Sequence, residues 1–464
     1  MPRDMTNTRM TVRRVAGRTA TLTCLVLLGA CLMPSAAEQP GEEEAPLLTL
    51  DEAISQAIAN NQSVKISSLE AEKSDHLVSI ARSQRLPLFH VDVLAGSLVH
   101  PFDFTFPAGS FGNYPGVGPI PSTDSAITTP AQFTSVITAA VDQPLTQQHR
   151  IHLNMAATDL GREIVREDVR ATRQRVVAEV RSAYYALVAA QTALQAARET
   201  VKTLEEVQRV TTEHEAQQAV LHADALEVGA RLAKSRYDLS AAEDRLATQG
   251  EILNDLLGRD LTTRFRVEPI PEQEGDGLTL ETVRQRAMES RPELRQAELK
   301  EKQAEYDRRL ARAEYIPDLS LSVRYVGYEN FEVLPQSVTT AGVYLSWEPF
   351  DWGRRRNRVA EKSLAVEQAH NGARQTRSQV AIDAGTKFRA STEAALLVRA
   401  ALAGREAARE QLRVTTDQYQ QQATLLKDLL QVQTRSVETE FQYQQALSSY
   451  WSAMADLRRA MGEE

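Results

Sequence analysis

Residues 209–258 open on Arg209-Val210-Thr211-Thr212, pass through Gln217-Gln218-Ala219-Val220-Leu221 and close on Leu253-Asn254-Asp255-Leu256-Leu257-Gly258. The stretch returns without a gap at 413–462, opening on Arg413-Val414-Thr415-Thr416, passing Gln421-Gln422-Ala423-Thr424-Leu425 and closing on Gly462. Both ends are displaced by 204 residues, and a frame shared over that length marks a tandem duplication. Each copy carries a largely apolar stripe at alternating three- and four-residue spacing. The first runs Leu221, Ala225, Val228, Leu232, Ser235, Leu239, Ala242, Leu246; the second runs Leu425, Leu429, Val432, Ser436, Thr439, Tyr443, Ala446, Tyr450. A period of about 3.5 residues builds a narrow seam that supercoils against neighbouring helices, so these helices need partners.

Upstream of each copy the halves remain parallel. Leu48-Thr49-Leu50-Asp51 and Leu278-Thr279-Leu280-Glu281 start matching helices, displaced by 230 residues, that stop at Leu86-Pro87 and Ile316-Pro317, because the residue before proline is pushed out of the helical region. Thr49 and Thr279 are N-cap residues, and only Thr49, with Glu52, completes a capping box. After each proline the period falls to two: residues 89–98 and 133–141 in the first half, 319–325 and 341–348 in the second. Each half thus supplies two strands with one apolar face and one small or polar face. That pattern fits barrel strands of an outer membrane or a soluble sheet resting on a core. The helices carry seams of their own and leave nothing to cover the apolar face, which favours the membrane. Beyond the leader no apolar run approaches the ~20 residues of a membrane-spanning helix, so any crossing falls to strands. The drop in offset from 230 to 204 places 26 additional residues in the first strand connection, around 100–131. Its Pro, Gly and Phe content predicts a long irregular surface loop, either shading a pore mouth or a tolerated insertion.

Gln143-Pro144-Leu145 and Glu348-Pro349-Phe350-Asp351-Trp352-Gly353-Arg354 return the strands to helix. A helix of roughly 60 residues follows in each half, about 90 Å long, far more than a globular domain uses. The layout is therefore a signal peptide over 1–37, or a lipoprotein signal over 1–30, and a flexible leader over 38–47. A first repeat spans 48–258, with helix 50–85, strands 88–99 and 132–143, long helix 150–214 and return helix 220–257. A linker covers 259–277, and a second repeat spans 278–464, with helix 280–315, strands 318–328 and 338–348, long helix 354–418 and return helix 424–461. The first return helix is expected to stack end to end with the helix that starts at Thr279.

Composition excludes several classes. Across 464 residues the net charge of −9 is interspersed rather than blocked, which gives no footprint for nucleic acid. Only Cys24 and Cys31 are present, both in the first segment, so the folded body has no thiol chemistry. Arg13, Arg14 and Arg18 precede an apolar core over 20–32, the form of an export signal. Ser35-Ala36-Ala37 suits signal peptidase, while Leu28-Gly29-Ala30-Cys31 resembles a bacterial lipobox that would leave a lipid-modified Cys31. His149 and His152 share a helix face without cysteine or carboxylate ligands beside them, and no phosphate-cradling loop or nucleophile motif occurs. Neither enzymatic activity nor a cofactor or metal is expected.

The duplicated helix, strand, strand, helix-hairpin order and three motifs, by their order and spacing along the chain, resemble the TolC-type outer-membrane efflux protein family, the outer membrane factors, over residues 47–463. The motifs are Trp347-Glu348-Pro349-Phe350-Asp351-Trp352-Gly353-Arg354-Arg355, Leu253-Asn254-Asp255-Leu256-Leu257-Gly258-Arg259 and Tyr419-Gln420-Gln421-Gln422-Ala423-Thr424-Leu425-Leu426-Lys427-Asp428-Leu429-Leu430. The resemblance implies a mainly helical chain with membrane strands, forming a homotrimer that shares a twelve-stranded β-barrel continued by a long periplasmic α-helical barrel. It implies the outer-membrane channel of a tripartite efflux or type I secretion system, coupled through a periplasmic adaptor (membrane fusion) protein to an inner-membrane pump. Adaptor docking would then fall on the hairpin tips, Gln218, Ala219, Val220 and Leu221 in one half and Gln422, Ala423, Thr424 and Leu425 in the other. Asp224 and Asp428 would be aperture carboxylates if they face the lumen, and adaptor contacts or solvated groups if they face outward. Pro144, Pro349, Gly353 and Arg354 would mark the barrel-to-helix junction. The arginines at 354, 355, 356 and 358 would meet outer-membrane lipid headgroups or form a solvated helix start. Two departures stand out: glutamine replaces the family's usual turn glycine at Gln218 and Gln422, and the first strand exit lacks a glycine matching Gly353. Four strands cannot close a barrel, and open edges are forbidden in hydrocarbon, which gives association an independent motive. The competing reading is a soluble periplasmic coiled-coil scaffold.

Overall fold

A computed structural model describes residues 46–100, 102–217, 221–268, 277–331, 335–421 and 423–463. The signal segment with Cys31, and the turn residues Gln218, Ala219, Val220 and Gln422, lie outside the described residues. The first repeat runs β1 (Leu47–Leu48), α1 (Leu50–Asn60), α2 (Gln62–Ser83), β2 (Leu88–Ser97), β3 (Phe102–Phe106), β4 (Asn113–Tyr114), β5 (Gly118–Pro119), β6 (Ser125–Thr129), β7 (Phe133–Pro144), α3 (Gln147–Ala216) and α4 (His222–Leu256). β8 (Arg266–Val267) precedes the second repeat: α5 (Leu280–Ser290), α6 (Pro292–Ala313), β9 (Asp318–Glu329), β10 (Ser337–Ser346), α7 (Arg354–Gln420) and α8 (Leu426–Ala460).

The single helix expected over 50–85 is two helices broken at Asn61, and the one over 280–315 breaks at Arg291. Thr49 caps α1 through the capping box. Twelve residues on, Asn61 turns to an extended ψ of 133° and its side chain serves two helices at once. Its Oδ1 accepts from the N–H of Ser63 at 2.8 Å and of Val64 at 3.4 Å, capping α2. Its Nδ2 donates to the Leu256 carbonyl at 2.9 Å, closing the end of α4. In the second repeat Pro292 takes the first helical position of α6, where its missing N–H costs nothing. The stacking expected between α4 and the helix from Thr279 is therefore corrected: α4 ends on the joint of its own repeat. The glycines that close the duplicated stretch explain why. Gly258 has φ +65°, and a Cβ there would stand 2.4 Å from the Asn60 carbonyl oxygen; Gly462 has φ +82°, and its Cβ would stand 2.8 Å from the Ser290 carbonyl carbon. Only glycine fits both the left-handed backbone and the contact.

β10, β9, β7 and β2 form one antiparallel sheet in that order. Register pairs Val91 with Ala139, Ala139 with Tyr325 and Tyr325 with Thr339; one residue along, His90, Ala140, Arg324 and Thr340 form the adjacent row. Paired residues share a face. One face carries Phe89, Val91, Val93, Ala139, Val141, Leu321, Val323, Val343 and Leu345, and the other carries His90, Asp92, Thr138, Asp142, Ser322, Arg324 and Thr340.

The helices repeat that order. α3 lies against α2, α4, α6 and α8, and α7 lies against α5, α6 and α8. Four columns result: α4 on α2, then α3, then α8 on α6, then α7. The strands that adjoin them are β2, β7, β9 and β10, in the same sequence. The seam residues Val180, Leu187, Leu194, Val201 and Leu204 of α3 are buried. Val180 and Leu187 share a core with Ala53, Ala57, Leu253 and Leu257, each large aliphatic side chain contributing about 1.5–3 kcal/mol. Val283, Ala287, Val380, Ala384, Leu457 and Met461 form the matching core of the second repeat.

Two further features differ from the sequence expectation. The connection over 100–131 is not irregular: β3 and β6 pair from Phe102–Thr129 to Phe106–Ser125, β4 pairs with β5, and Phe104, Phe106 and Phe111 cluster with ring separations of 4.7 and 5.1 Å. Phe102-Asp103-Phe104-Thr105-Phe106 has strand alternation of its own, and the Gly and Pro residues supply the turns. β1 pairs in parallel with β8, and the Tyr184 hydroxyl ties both, donating to the Leu48 carbonyl at 3.0 Å and accepting from the Glu268 N–H at 3.1 Å.

Asn61→Ala removes the cap and orphans the Leu256 carbonyl, and is expected to cost about 1–2 kcal/mol. Asn61→Asp keeps the acceptor and loses only the donor, so its melting temperature in detergent, followed by circular dichroism, should fall between those of Asn61→Ala and the parent. Equal melting of the two variants contradicts the two-sided joint.

Candidate functional site

The two ends of the wall carry different chemistry. At the hairpin end, α4 starts from Leu221 and α8 from Leu425, both extended N-cap residues without a side-chain cap. Asp224 and Asp428 occupy the same place in each first turn and both are exposed. A carboxylate there meets the positive end of the helix dipole. In the second turn Ala423 donates to the Gln418 carbonyl at 2.8 Å, and the Thr424 hydroxyl donates to Asp428 at 3.3 Å. In the first, His222 Nδ1 meets Glu215 Oε1 at 2.6 Å across the turn; the positions 204 residues on are Leu426 and Tyr419 and hold no such pair.

Behind each tip stands a copy of one ion network. Arg209 bonds Glu206 and Glu213, and Arg413 bonds Glu410 and Asp417. Hydrogen bonding by the arginine holds the Glu206 and Glu410 carboxyls below their ordinary range. A second pair is kept with its signs exchanged: Glu205 with Arg236 at 2.8 Å in the first hairpin, Arg409 with Glu440 at 2.7 Å in the second, at the shared offset of 204.

At the other end strands turn into helices. Pro144 closes β7, and the Thr146 hydroxyl donates to the Pro317 carbonyl at 2.7 Å while accepting from the Leu319 N–H at 2.8 Å. Gln143 and Gln148 both donate to the Arg85 carbonyl, at 3.0 and 2.9 Å. Side-chain amides thus stitch the exit that lacks a glycine. In the second half, past Pro349, Gly353 supplies φ +84° ahead of Arg354, the first residue of α7. Asp351 caps that helix, accepting from the N–H of Gly353 at 3.1 Å and of Arg355 at 3.0 Å. Asp351 stands in the turn motif without a role of its own there, although an acidic residue two before a glycine and a helix is a capping signal.

Among the described residues no group of three or more His, Cys, Asp or Glu side chains is arranged to hold a metal, and no helix is long and apolar enough to cross a membrane. The sheet, with one apolar and one polar face, is the element suited to lipid. The outer membrane efflux protein model matches residues 53–259 and 283–463, one block per repeat, and the chain belongs to that family. No curated protein matches it by sequence. Among solved structures it is similar to a membrane protein from Pseudomonas aeruginosa, at 20% identity and a TM-score of 0.72 over 89% of this chain and 92% of that one. It is similar also to the Campylobacter jejuni CmeC outer membrane channel, at 16% identity and 0.74 over 89% and 85%. The open state of the Neisseria gonorrhoeae MtrE outer membrane channel follows at 19% identity and 0.67 over 89% of each chain. The chain is an outer-membrane efflux channel component, not a soluble scaffold. Its family and structural relatives are channels rather than enzymes.

The Asp351 carboxyl is held below its ordinary value, first by the Arg355 N–H and then by that of Gly353 and the charges of Arg355 and Arg354, against the opposing effect of burial. A depressed pKa means the cap contributes fully above about pH 4 and is lost as pH falls through the depressed value. The emission of Trp352, in a Trp347→Phe/Trp451→Phe background, should be flat from neutral pH to about 4 and shift below it. Asp351→Asn should shift it already at neutral pH.

Proposed function

We propose that three copies of this chain close into one duct, that its barrel end crosses the outer membrane, and that its hairpin tips dock a periplasmic adaptor coupled to an inner-membrane pump. The observation that carries this reading is the coincidence of the two orders. Because strands and helix columns run in the same sequence, a single copy has both free edges aligned: β2 with α2 and α4 on one side, β10 with α7 on the other. Joining unlike edges is a heterologous contact, and repeated rotation closes it into a ring. Hydrocarbon requires that closure, since an open sheet edge leaves N–H and C=O groups unpaired. The helical edges are prepared for it as well. Ile66 on α2 is 67% exposed and Ile382 on α7 is 65% exposed, with Leu69, Ile80, Leu364 and Leu396 exposed beside them.

The apolar sheet face meets lipid and the face carrying His90, Asp92, Asp142 and Arg324 lines the lumen. A wide polar lumen leaves cargo selection to the pump. At the tips, exposed Leu221 and Leu425 are the apolar contacts for the adaptor, and Asp224 and Asp428 face it rather than the duct. Their first-turn position stabilises the helix start by about 0.3–1 kcal/mol.

Ile382→Glu should lower the temperature at which the trimer band dissociates on gels, whereas Glu placed at exposed Gln375 should not. Unchanged dissociation for Ile382→Glu removes α7 from the ring contact. Asp224→Asn/Asp428→Asn should leave the pH dependence of single-channel conductance unchanged while lowering cross-linking to the adaptor. Conductance that loses its pH dependence instead puts both carboxylates in the duct. Efflux restored to a Gram-negative strain lacking its outer-membrane channel, given the matching pump and adaptor, tests the whole.

A further inference from the structure

The four arginines after β10 do not share one role. Arg354 is held by Glu348, Arg355 by Glu348 at 3.3 Å and Asp351 at 3.5 Å, and Arg358 by Glu314 at 3.0 Å. Arg356 is exposed and has no acidic partner among the described residues. The turn that leads to it carries three large exposed aromatic side chains, Trp347 at 60%, Phe350 at 67% and Trp352 at 88%. Trp347 continues the apolar column Val343 and Leu345 one step past β10, so the patch is continuous with the lipid-facing side of the sheet. Phe350 and Trp352 meet edge to face at 4.8 Å. Trp352 also has φ +56°, a left-handed backbone that a bulky residue avoids unless its surroundings reward it.

We propose that the β10–α7 turn anchors the channel to the periplasmic leaflet of the outer membrane. Arg356 binds the phosphate of an anionic phospholipid, and Trp347 and Trp352 lie at headgroup depth. This rests on the membrane placement of the sheet, whose helix-bearing end is the periplasmic one. Indole prefers that boundary because its body is apolar and its N–H is polar. Guanidinium matches phosphate geometrically, and a cation lacking an internal partner is free to do so. The N-terminus of α7 is not the anion site, since Asp351 already occupies it. That leaves Arg356 as the cation the turn presents.

The test uses the full-length protein purified in detergent and reconstituted in nanodiscs of phosphatidylethanolamine, with or without phosphatidylglycerol. With Trp352 as the sole tryptophan, phospholipid brominated high on the acyl chain should quench it severalfold more than lipid brominated near the chain end. Absence of quenching by either overturns the anchor and points to cover by the next copy. Native mass spectrometry should find phosphatidylglycerol retained at one per chain, reduced severalfold in Arg356→Gln and largely restored in Arg356→Lys. Arg354→Gln, whose partner is internal, should retain it. Equal retention by Arg356→Gln and the parent overturns the headgroup contact, and the gel-stable trimer confirms that each variant is assembled.

Discussion

Everything in this chain answers to one constraint: a backbone N–H or C=O inside hydrocarbon has no water to turn to. The strands β2 and β10 each present a free edge, and no further strand of the sheet lies beside either. A sheet of four strands cannot curl shut on itself at this size, so the missing partners come from other copies of the chain. The constraint propagates beyond the membrane because each strand continues into a helix column. Once the strands are ordered around a barrel, the helices are ordered around a tube, and the wall inherits its sequence of neighbours from the sheet.

Holding such a wall together over the length of α3 and α7 requires joints that neither fray nor bend. The short columns are built from two helices each, and their meeting points use opposite local chemistry. Asn61 satisfies both helix ends with one amide. In the second repeat Pro292 removes the need for one partner, and Arg291 bonds Glu293 and Asp383 and reaches the Arg459 carbonyl at 3.4 Å. The shared element is the glycine at the end of the return helix, since both joints bring backbone against backbone. A duplicated fold has kept the constraint and varied the means.

The periodicity of 209–258, the prolines at Pro87 and Pro317 and the alternation after them made the fold class legible without coordinates, because each is a local signal repeated twice. The breaks at Asn61 and Arg291 were less visible, because the apolar pattern runs across them and only the capping preference of asparagine and Pro292 marks the interruption. β1 and β8 were invisible: two residues carry no period, and their pairing depends on Tyr184, far away in sequence. The same limit applies at the ends. Pro349, Gly353 and Arg354 were found from the turn motif, but that Arg355 and Arg358 are bound internally while Arg356 is not follows from positions of Glu314 and Glu348 that no spacing rule supplies.

The sign-exchanged pairs bear on how a duplicated chain avoids confusing its own parts. α3 touches both return helices, α4 and α8, which descend from one ancestral segment and offer it similar seams. With Glu205 facing Arg236 and Arg409 facing Glu440, each long helix at this position meets the opposite charge on its own return helix. A crossed hairpin would set Glu205 against Glu440 and Arg409 against Arg236, turning two attractions into two repulsions. Polarity at one surface position thus works as a label of parentage, telling otherwise interchangeable helices which strand of the family line they belong to.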